Sequence, residues 1–276
     1  MSGAKEQPLN RYRIAPGTKP DLRGVDTRDI SAFPELSKSK ALPVLDAQRQ
    51  KLSALQRVLW ADGRQSLLVV IQAMDTGGKD GTIRKVFSGV NPQGVDVTGF
   101  GAPSEEEHRH DYLWRIHQHA PAKGRIGVFN RSHYEDVLVV AVNNLVTEQK
   151  WSKRYGHIRD FERLLVDEGT TIVKLMLHIS KDEQRERLQA RLADPSKNYK
   201  FDPGDLAVRG QWDAYMDAYE TAIAETSSDA SPWFVVPADR KWYRNIVVAE
   251  ILIETLERLG LEYPVTEHDL DGLVIE

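Results

Sequence analysis

The stretch that decides the fold is SLLVVIQAMDTGGKDGTIRKVF, residues 66–87. Its first nine residues form a continuous apolar run rich in branched side chains, which is typical of a strand covered on both faces by helices. A glycine-rich turn that contains Lys79 follows, and IRKVF then has a helical pattern. The order of strand, glycine-rich turn and helix predicts the start of an α/β unit.

The turn has the composition of a modified P-loop, a motif that cradles phosphate groups. Gly77, Gly78 and Gly81 can take backbone angles that turn several N–H groups inward. The helix that begins near Thr82 adds its positive end, and Lys79 adds a mobile ammonium. These features predict a phosphate pocket, and the structural alternative is a tight connection that carries a surface lysine.

The loop departs from the usual motif at two positions. Ala73 stands where Gly is usual, and Asp80 stands where a Ser or Thr hydroxyl normally holds magnesium. Asp75 offers a carboxylate nearby, and a carboxylate beside phosphates repels them unless a cation lies between. We therefore predict that Asp75 binds Mg²⁺. The alternative is that Asp75 braces the loop by accepting backbone hydrogen bonds.

Apolar runs recur along the chain and predict further strands at residues 95–100, 126–130, 171–179 and 233–237. Apolar residues at helical spacing predict helices at 44–60, 105–118, 132–143, 153–167, 181–193 and 241–259. The alternation predicts an α/β fold with a mostly parallel sheet and right-handed crossovers. Such sheets bind ligands beyond the carboxyl ends of their strands, where the glycine-rich turn lies.

A second group of charged residues follows the strand predicted at 126–130, in the segment FNRSHYEDVLV, residues 129–139. Arg131 is suited to bind two phosphate oxygens at once. Glu135 or Asp136 can hold a metal, position a nucleotide or begin the following helix. Ser132 and Glu135 also form the S-x-x-E pattern of a helix capping box, so a structural role for Glu135 stays open.

Composition narrows the classes of function. The 276 residues include no cysteine, which excludes disulfides and thiolate metal sites, and no apolar stretch of about 18 residues that could span a bilayer. The formal net charge of −4 at pH 7 argues against general nucleic-acid binding. The first residues lack the apolar stretch of a signal peptide. These features predict a cytoplasmic protein without nucleic-acid or membrane partners.

Five ordered motifs resemble the family 2 polyphosphate kinases: AMDTGGKDGTIRKVF, VNPQGVDVTGFGAP, FNRSHYEDVLV, NYKFDPGDLAVRGQWDAYMDAYE and WFVVPADRKWYRNIVVA. The resemblance extends from about residue 55 to residue 260. It implies a three-layer αβα P-loop kinase fold with a mostly parallel central sheet and a helical lid. It also implies polyphosphate as phosphoryl donor, a nucleotide acceptor and Mg²⁺. By position in the motifs, Asp75, Lys79 and Arg131 are the expected catalytic residues.

Many relatives have Asp-Arg-Ser with Trp-Tyr-Asn where this chain has NRSHYE, residues 130–135. Asn130 therefore cannot supply a second carboxylate for magnesium. Glu135 resembles the subgroup that accepts both nucleoside mono- and diphosphates. The resemblance thus implies AMP and ADP as acceptors, ATP as a further partner of the reversible reaction, Asn130 and Glu135 as nucleotide-binding residues, and a homo-oligomer, dimer or tetramer.

We divide the chain into residues 1–62, an N-terminal arm with a leading helix, and residues 63–276, the phosphotransferase domain. The arm is predicted to be extended because its first 40 residues carry four prolines.

A lid is predicted at about 181–211, where cations surround aromatic residues, Pro203 and Gly204. Lids of this type close over phosphates and exclude water. The alternative is an exposed, salt-bridged helix and loop. The helical spacing of Trp212, Tyr215 and Tyr219 favours packing over base stacking.

The predicted phosphate- and polyphosphate-binding residues are Gly77, Gly78, Gly81, Thr82, Lys85, Lys200, Arg209 and Lys241.

Two other functions stay open for this chain. One is an ATP-dependent nucleoside monophosphate kinase, whose usual Ser or Thr after Gly-Lys is absent here. The other is a non-catalytic module that binds nucleotide or polyphosphate.

Overall fold

The fold is built on a mostly parallel sheet. The computed structural model describes residues 8–266 and 275. Within them the sheet has six strands in the order β1-β6-β5-β2-β4-β3. The strands are β1 (Arg13–Ile14), β2 (Ser66–Gln72), β3 (Val95–Gly99), β4 (Ile126–Asn130), β5 (Thr170–His178) and β6 (Trp233–Pro237). Only β1 runs antiparallel to its neighbour in this part of the chain.

Strand β2 lies at the centre of the sheet, between β4 and β5. Val69 pairs with Val128 of β4 on one side and with Val173 of β5 on the other. Every residue of β2 is buried, as the continuous apolar run predicts for a strand covered on both faces. After β2 the chain forms β3 and β4 on one side of this strand, and it then crosses to form β5 and β6 on the other side. The strand order therefore reverses beside β2, and sheets of this type bind ligands at such a point.

Helices flank the sheet on both faces, and the predicted three-layer α/β fold is confirmed. Helix α1 packs on α11 and α11 on α2, whereas α10 packs on α5 and α7, and α7 packs on β5. The helices are α1 (Ala41–Asp62), α2 (Lys79–Val86), α3 (Glu105–His108), α4 (Trp114–His117), α5 (Val139–Val142), α6 (Glu148–Trp151), α7 (Arg154–Asp167), α8 (Lys181–Ala193), α9 (Gly204–Gly210), α10 (Trp212–Thr226) and α11 (Lys241–Glu257). Short 3-10 helices lie at Pro8–Tyr12, Pro92–Gly94, His133–Asp136 and Asn198–Lys200.

The predicted bounds are confirmed for β4, β6 and α8, and two of the predicted helices are wrong. The segment 105–118 divides into α3 and α4, because Asp111 accepts hydrogen bonds from the amides of Leu113 and Trp114 and so starts a new turn. The segment 132–143 divides into a 3-10 helix and α5. The 3-10 helix ends at Asp136, whose carbonyl oxygen accepts a hydrogen bond from Arg154.

The described part of the predicted arm, residues 8–40, packs against the core and is not extended, and residues 1–7 lie outside the described residues. Leu9 and Leu22 are 1% exposed, and β1 covers the edge of β6. The Tyr12 hydroxyl lies 2.8 Å from that of Tyr243 in α11. Buried leucines and a covered sheet edge explain why the proline-rich composition does not keep this segment away from the domain. The division of the chain at residue 62 stays a prediction.

Trp212, Tyr215 and Tyr219 of α10 belong to the hydrophobic core, which confirms that they pack. Across residues 8–266 no helix is both long and apolar enough to cross a membrane.

A buried ionic network joins α7, β5 and the loop after β4. Lys174 in β5 is fully buried, and its Nζ donates to Glu162 Oε2 at 2.5 Å and to the Thr226 carbonyl at 2.7 Å. The Tyr134 hydroxyl donates to the other Glu162 oxygen at 2.7 Å. Burial opposes the charge of Glu162, but Lys174 and then His133 hold its pKa at about 2. The carboxylate is therefore ionised and has partners on both oxygens.

We expect Glu162→Gln to lower the free energy of unfolding by about 3–5 kcal/mol, because it leaves the buried Lys174 ammonium without its counter-charge. Urea unfolding of both proteins at pH 7 measures the difference. The difference should shrink as the pH falls from 4.5, the ordinary carboxyl pKa, toward about 2, because wild-type Glu162 then takes up a proton. Glu225→Gln is the matched control, since Glu225 pairs with Arg159 at the exposed surface. Equal stabilities of Glu162→Gln and Glu225→Gln would contradict the expectation.

Candidate active site

The carboxyl ends of β2 and β4 open into a cavity of about 1310 Å³. Its walls come from the loop 75–81 after β2, residues 99–101 after β3, Asn130 and Arg131 after β4, helix α8, the 197–205 segment and the start of α11. The sheet topology explains this convergence, because parallel neighbouring strands end at the same edge. The cavity therefore brings together residues that lie far apart in the sequence.

The loop after β2 requires glycine at positions 77 and 78. A Cβ on Gly77 would lie 2.5 Å from the Ala73 Cβ. Gly78 has φ +100°, and a Cβ there would lie 2.0 Å from Arg244 Nη1. Gly81 has no such close contact, since a Cβ there would lie 3.7 Å from the nearest Arg244 nitrogen. Close approach of other groups, and not only turn geometry, explains the glycine pair.

Thr76 has φ +61°, in the left-handed region that β-branched residues avoid. Its hydroxyl is buried and makes no hydrogen bond within the described structure. A backbone in this conformation costs of the order of 1–3 kcal/mol, and such strain concentrates at functional sites. The loop is therefore held in its shape by its surroundings.

Lys79 is the first residue of α2 and is 9% exposed. Its Nζ donates to the Ala73 carbonyl oxygen at 3.0 Å. Burial and then the charge of Arg131 lower the pKa of the Lys79 ammonium. A phosphate in the cavity would supply the negative charge that this buried ammonium lacks.

Asp75 and Arg131 meet across the strand ends. Arg131 Nη2 lies 3.0 Å from Asp75 Oδ1, and the Arg131 amide donates to the Ile71 carbonyl at 3.0 Å. Arg131 has φ +64°, a second non-glycine residue of the site in the left-handed region. Burial opposes the charge of Arg131, but Glu135 and Asp75 outweigh it, and the pKa of the guanidinium is raised.

The two unusual residues of the motifs contact each other. Asn130 Nδ2 donates to Asp80 Oδ1 at 2.7 Å. An aspartate at position 130 would place two carboxylates at this separation, where like charges repel. The amide at position 130 therefore fits the aspartate at position 80, and both side chains line the cavity.

Glu135 and Asp136 are outside the set of residues that line the cavity. Glu135 Oε1 accepts a hydrogen bond from Gln72 at 2.9 Å, so its side chain does not complete the capping box with Ser132. Asp136 pairs with Arg154 at 3.0 Å, and burial raises its pKa. Within the described residues no three His, Cys, Asp or Glu side chains form a group that could hold a metal.

The other predicted phosphate-binding residues are dispersed. Thr82 is fully buried, and its hydroxyl donates to the Gly78 carbonyl at 3.0 Å. Lys85 is exposed on α2, outside the cavity lining. Lys241 lines the cavity at the start of α11. The side chain of Lys200 lies outside the described part of the structure.

The predicted lid segment contributes several side chains to the cavity. Arg191, Lys197, Asp202 and Asp205 line it, and Arg191 pairs with Asp205 at 3.1 Å. Arg209 instead lies against α8, where its Nη1 donates to Gln184 Oε1 at 3.2 Å. The structure thus places acids and cations of this segment together at the cavity.

Sequence reasoning missed Arg244. Arg187 lies in the predicted lid segment, residues 181–211, for which an exposed, salt-bridged helix and loop was the alternative. Arg187 Nη1 donates to the carbonyls of Thr76 at 3.0 Å and Gly77 at 3.1 Å. Arg244 Nη1 also donates to the Gly77 carbonyl, at 3.3 Å. The only sequence signal for Arg244 is its place near the start of a helix after β6, at the same sheet edge as Lys79.

The fold and the glycine-rich loop define a phosphotransferase of the P-loop kinase type. The family model described as Polyphosphate kinase 2 (PPK2) matches residues 35–262, and the chain belongs to that family. This confirms the resemblance that the five motifs carry.

Two relatives and a solved structure are similar over nearly their whole length. The chain is 56% identical to the AMP/ADP-polyphosphate phosphotransferase of Meiothermus ruber, over 97% of this chain and 100% of that protein. It is 46% identical to the ADP-polyphosphate phosphotransferase of Rhodopseudomonas palustris, over 93% of this chain and 92% of that protein. The crystal structure of Polyphosphate Kinase 2 from Arthrobacter aurescens TC1 matches with a TM-score of 0.92 and 45% identity, over 96% of this chain and 94% of that one.

We expect Gly78→Ala to destabilise the protein more than Gly89→Ala. Both glycines have φ near +90°, but a Cβ at Gly89 meets nothing within 4 Å, whereas one at Gly78 collides with Arg244. Gly89→Ala therefore measures the free energy of placing alanine at a positive φ angle, about 1 kcal/mol. Gly78→Ala has this cost and must also displace the Arg244 guanidinium. Thermal unfolding and phosphotransfer rate are measured for both. Equal unfolding temperatures would show that Arg244 moves aside without cost.

Proposed function

We propose that this chain transfers the terminal phosphate of inorganic polyphosphate to AMP and to ADP, in a reversible reaction that also takes ATP. The observation that carries the proposal is the convergence of the P-loop, Lys79 and Arg131 at one cavity. The Meiothermus relative, whose name includes both acceptors, supports AMP and ADP together. Glu135 is the residue that we associate with this acceptor range.

The reaction is an in-line displacement. An oxygen of the terminal phosphate of AMP or ADP attacks the end phosphorus of polyphosphate, a new P–O bond forms, and the bond to the next phosphate breaks, so the bridging oxygen leaves with the shortened chain. Such transfer needs positioning and charge stabilisation and little covalent chemistry from the protein. The N–H groups of the loop and Lys79 hold the transferring group, and Arg131 stabilises the charge that develops on it.

Asp75 is the residue that we propose to hold Mg²⁺. Its carboxylate lies on the cavity wall, whereas Asp136 pairs with Arg154 and Glu135 accepts from Gln72. Protein sites for Mg²⁺ commonly use one or two carboxylates together with substrate phosphates, so a single aspartate fits. When bound, the ion would neutralise phosphate charge. Arg131, which pairs with the same carboxylate, would then be available to the phosphates.

We further propose that residues 181–211 act as a lid, since part of this segment lines the cavity. By resemblance to the family we also propose a homo-oligomer, dimer or tetramer. The absence of cysteine supports a cytoplasmic protein, and the charge of −4 argues against nucleic-acid partners. The lack of an apolar stretch of about 18 residues argues against a membrane partner.

Removal of either central cation should nearly abolish turnover. Loss of an arginine that stabilises the transition state costs about 10³ to 10⁵ in rate, so we expect Arg131→Ala to fall in this range and Lys79→Ala to be similarly inactive. Thermal unfolding should change little, because neither side chain fills the hydrophobic core. Arg163→Ala, on the exposed surface of α7, is the control and should keep full turnover. Near-full activity of Arg131→Ala or Lys79→Ala would refute the assignment.

The donor and the acceptor are tested with the purified protein, Mg²⁺ and long-chain polyphosphate. ADP should give ATP, and AMP in a parallel reaction should give ADP. Inactivity with polyphosphate, combined with ADP release from ATP and a nucleoside monophosphate, would instead identify an ATP-dependent kinase. Tight binding of polyphosphate or nucleotide without turnover in either assay would identify a binding module.

A further inference from the structure

Gln72 is a buried polar residue at the carboxyl end of strand β2. Its side chain is 0% exposed, and its Nε2 donates to Glu135 Oε1 at 2.9 Å. Its Oε1 has no hydrogen-bond partner among the described residues. Burial of an amide costs free energy unless its groups are hydrogen-bonded, and an apolar side chain would avoid that cost. The bond to Glu135 is therefore the contact that distinguishes Gln72 from an apolar residue at this position.

Glu135 is held on one side and open on the other. It lies in the 3-10 helix His133–Asp136 and is partly exposed. Gln72 binds Oε1 from the core side, whereas Oε2 makes no hydrogen bond or ion pair in the part of the chain that the structure describes and is not sealed from solvent. The carboxylate therefore presents one free acceptor oxygen in a fixed direction.

The Glu135 carboxylate belongs to the surroundings of Arg131, which lines the cavity. Burial opposes the charge of the Arg131 guanidinium, but Glu135 and then Asp75 raise its pKa. Both carboxylates depend on the end of β2, since Asp75 follows the strand directly and Gln72 orients Glu135. A nucleotide whose terminal phosphate binds Arg131 therefore has the Glu135 carboxylate close to the rest of its structure.

AMP and ADP differ in the group that lies next to the attacking phosphate. In an in-line reaction the attacking terminal phosphate occupies the same place for both acceptors. The group beyond it is the ribose of AMP but the inner phosphate of ADP. A carboxylate oxygen accepts a hydrogen bond from a ribose hydroxyl and repels a phosphate. A carboxylate that is fixed beside Arg131 therefore favours AMP over ADP.

We infer that Gln72 is a positioning residue that fixes the Glu135 carboxylate for the nucleoside of AMP and so sets the ratio of AMP to ADP turnover. The inference rests on the proposed function and deepens it, because it gives a physical cause for the acceptor range associated with Glu135. Gln72 itself is fully buried and touches no substrate. Its loss frees the Glu135 side chain to rotate, which lowers the fraction of molecules that are competent to bind AMP.

A second glutamine–glutamate pair in the chain provides a matched control. Gln48 is 8% exposed, and its Nε2 donates to Glu250 Oε2 at 2.7 Å. Its Oε1 also has no hydrogen-bond partner within the described structure. This pair joins α1 to α11, and neither residue lines the cavity. Removal of either amide therefore takes away the same kind of buried bond, but only Gln72 holds a residue beside Arg131.

The test compares Gln72→Met and Gln48→Met with wild type. Met has a flexible side chain of similar length and no N–H donor. Initial rates give kcat and KM for AMP and for ADP at saturating polyphosphate and Mg²⁺, and thermal unfolding is recorded for each protein. In Gln72→Met, kcat/KM should fall about 10- to 100-fold for AMP, as for loss of a hydrogen bond to a charged group, and stay within about threefold for ADP.

Two further variants complete the comparison. Gln48→Met should keep the wild-type ratio of AMP to ADP turnover. Gln72→Asn keeps an amide but withdraws it from Glu135 by one methylene, so it should lower the same ratio. It serves as the test if Gln72→Met does not fold.

A double-mutant cycle shows whether Gln72 acts through Glu135. Glu135→Ala should lower the ratio of AMP to ADP turnover by itself, and Gln72→Met should lower it no further in that background. A merely structural role of Gln72 would instead give the same effect in both backgrounds.

An unchanged ratio in Gln72→Met, together with a lowered ratio in Glu135→Ala, would remove the positioning role and leave the proposed function. Additive effects in the cycle would do the same, and so would an equal loss of ratio in Gln48→Met. An unchanged ratio in Glu135→Ala would overturn both the inference and the association of Glu135 with the acceptor range. Wild-type protein that forms no product from polyphosphate with AMP or ADP removes the proposed function together with the inference.

Discussion

The parallel pairing of β2 with β4 is the constraint on which the candidate site depends. Val69 pairs with Val128 and Ile71 with Asn130, so the two strands end side by side. Asp75 and Arg131, which are 56 residues apart in the chain, therefore meet at 3.0 Å. A change in this pairing would separate the carboxylate from the guanidinium without altering either loop.

The backbone at this strand edge is held in conformations that residues other than glycine rarely take. Thr76 and Arg131 both have φ above +60°, and Gly78 has φ +100°. The carbonyls of the β2 loop are held by Arg187 and Arg244, which belong to α8 and α11. Strained loops persist when the surrounding structure over-determines them. Two arginines from distant helices thus help to hold the loop in this shape.

Two opposing effects set the charges at the site: burial disfavours a charged side chain, and a nearby opposite charge stabilises it. Asn130 beside Asp80 avoids a repulsive carboxylate pair, and Arg131 has its charge stabilised by Glu135 and Asp75. Behind the loop after β4, the buried Glu162 and Lys174 hold Tyr134 in place. Such networks rigidify a core when every member has partners. The segment that carries Arg131 is therefore fixed by the core as well as by the sheet.

The local pattern of the chain was enough to predict the strands, the glycine-rich loop and the class of fold, because apolar periodicity and glycine placement act over short distances. The family resemblance extended this to Asp75, Lys79 and Arg131 as the residues of one site. Contacts made between distant segments were decided by the tertiary structure alone. Buried leucines packed the N-terminal arm into the core, Glu135 turned to Gln72 and away from Ser132, and Arg244 came to lie buried against Gly78. A lone arginine in a helix has no local signature of burial, since its environment is set by elements more than 150 residues away.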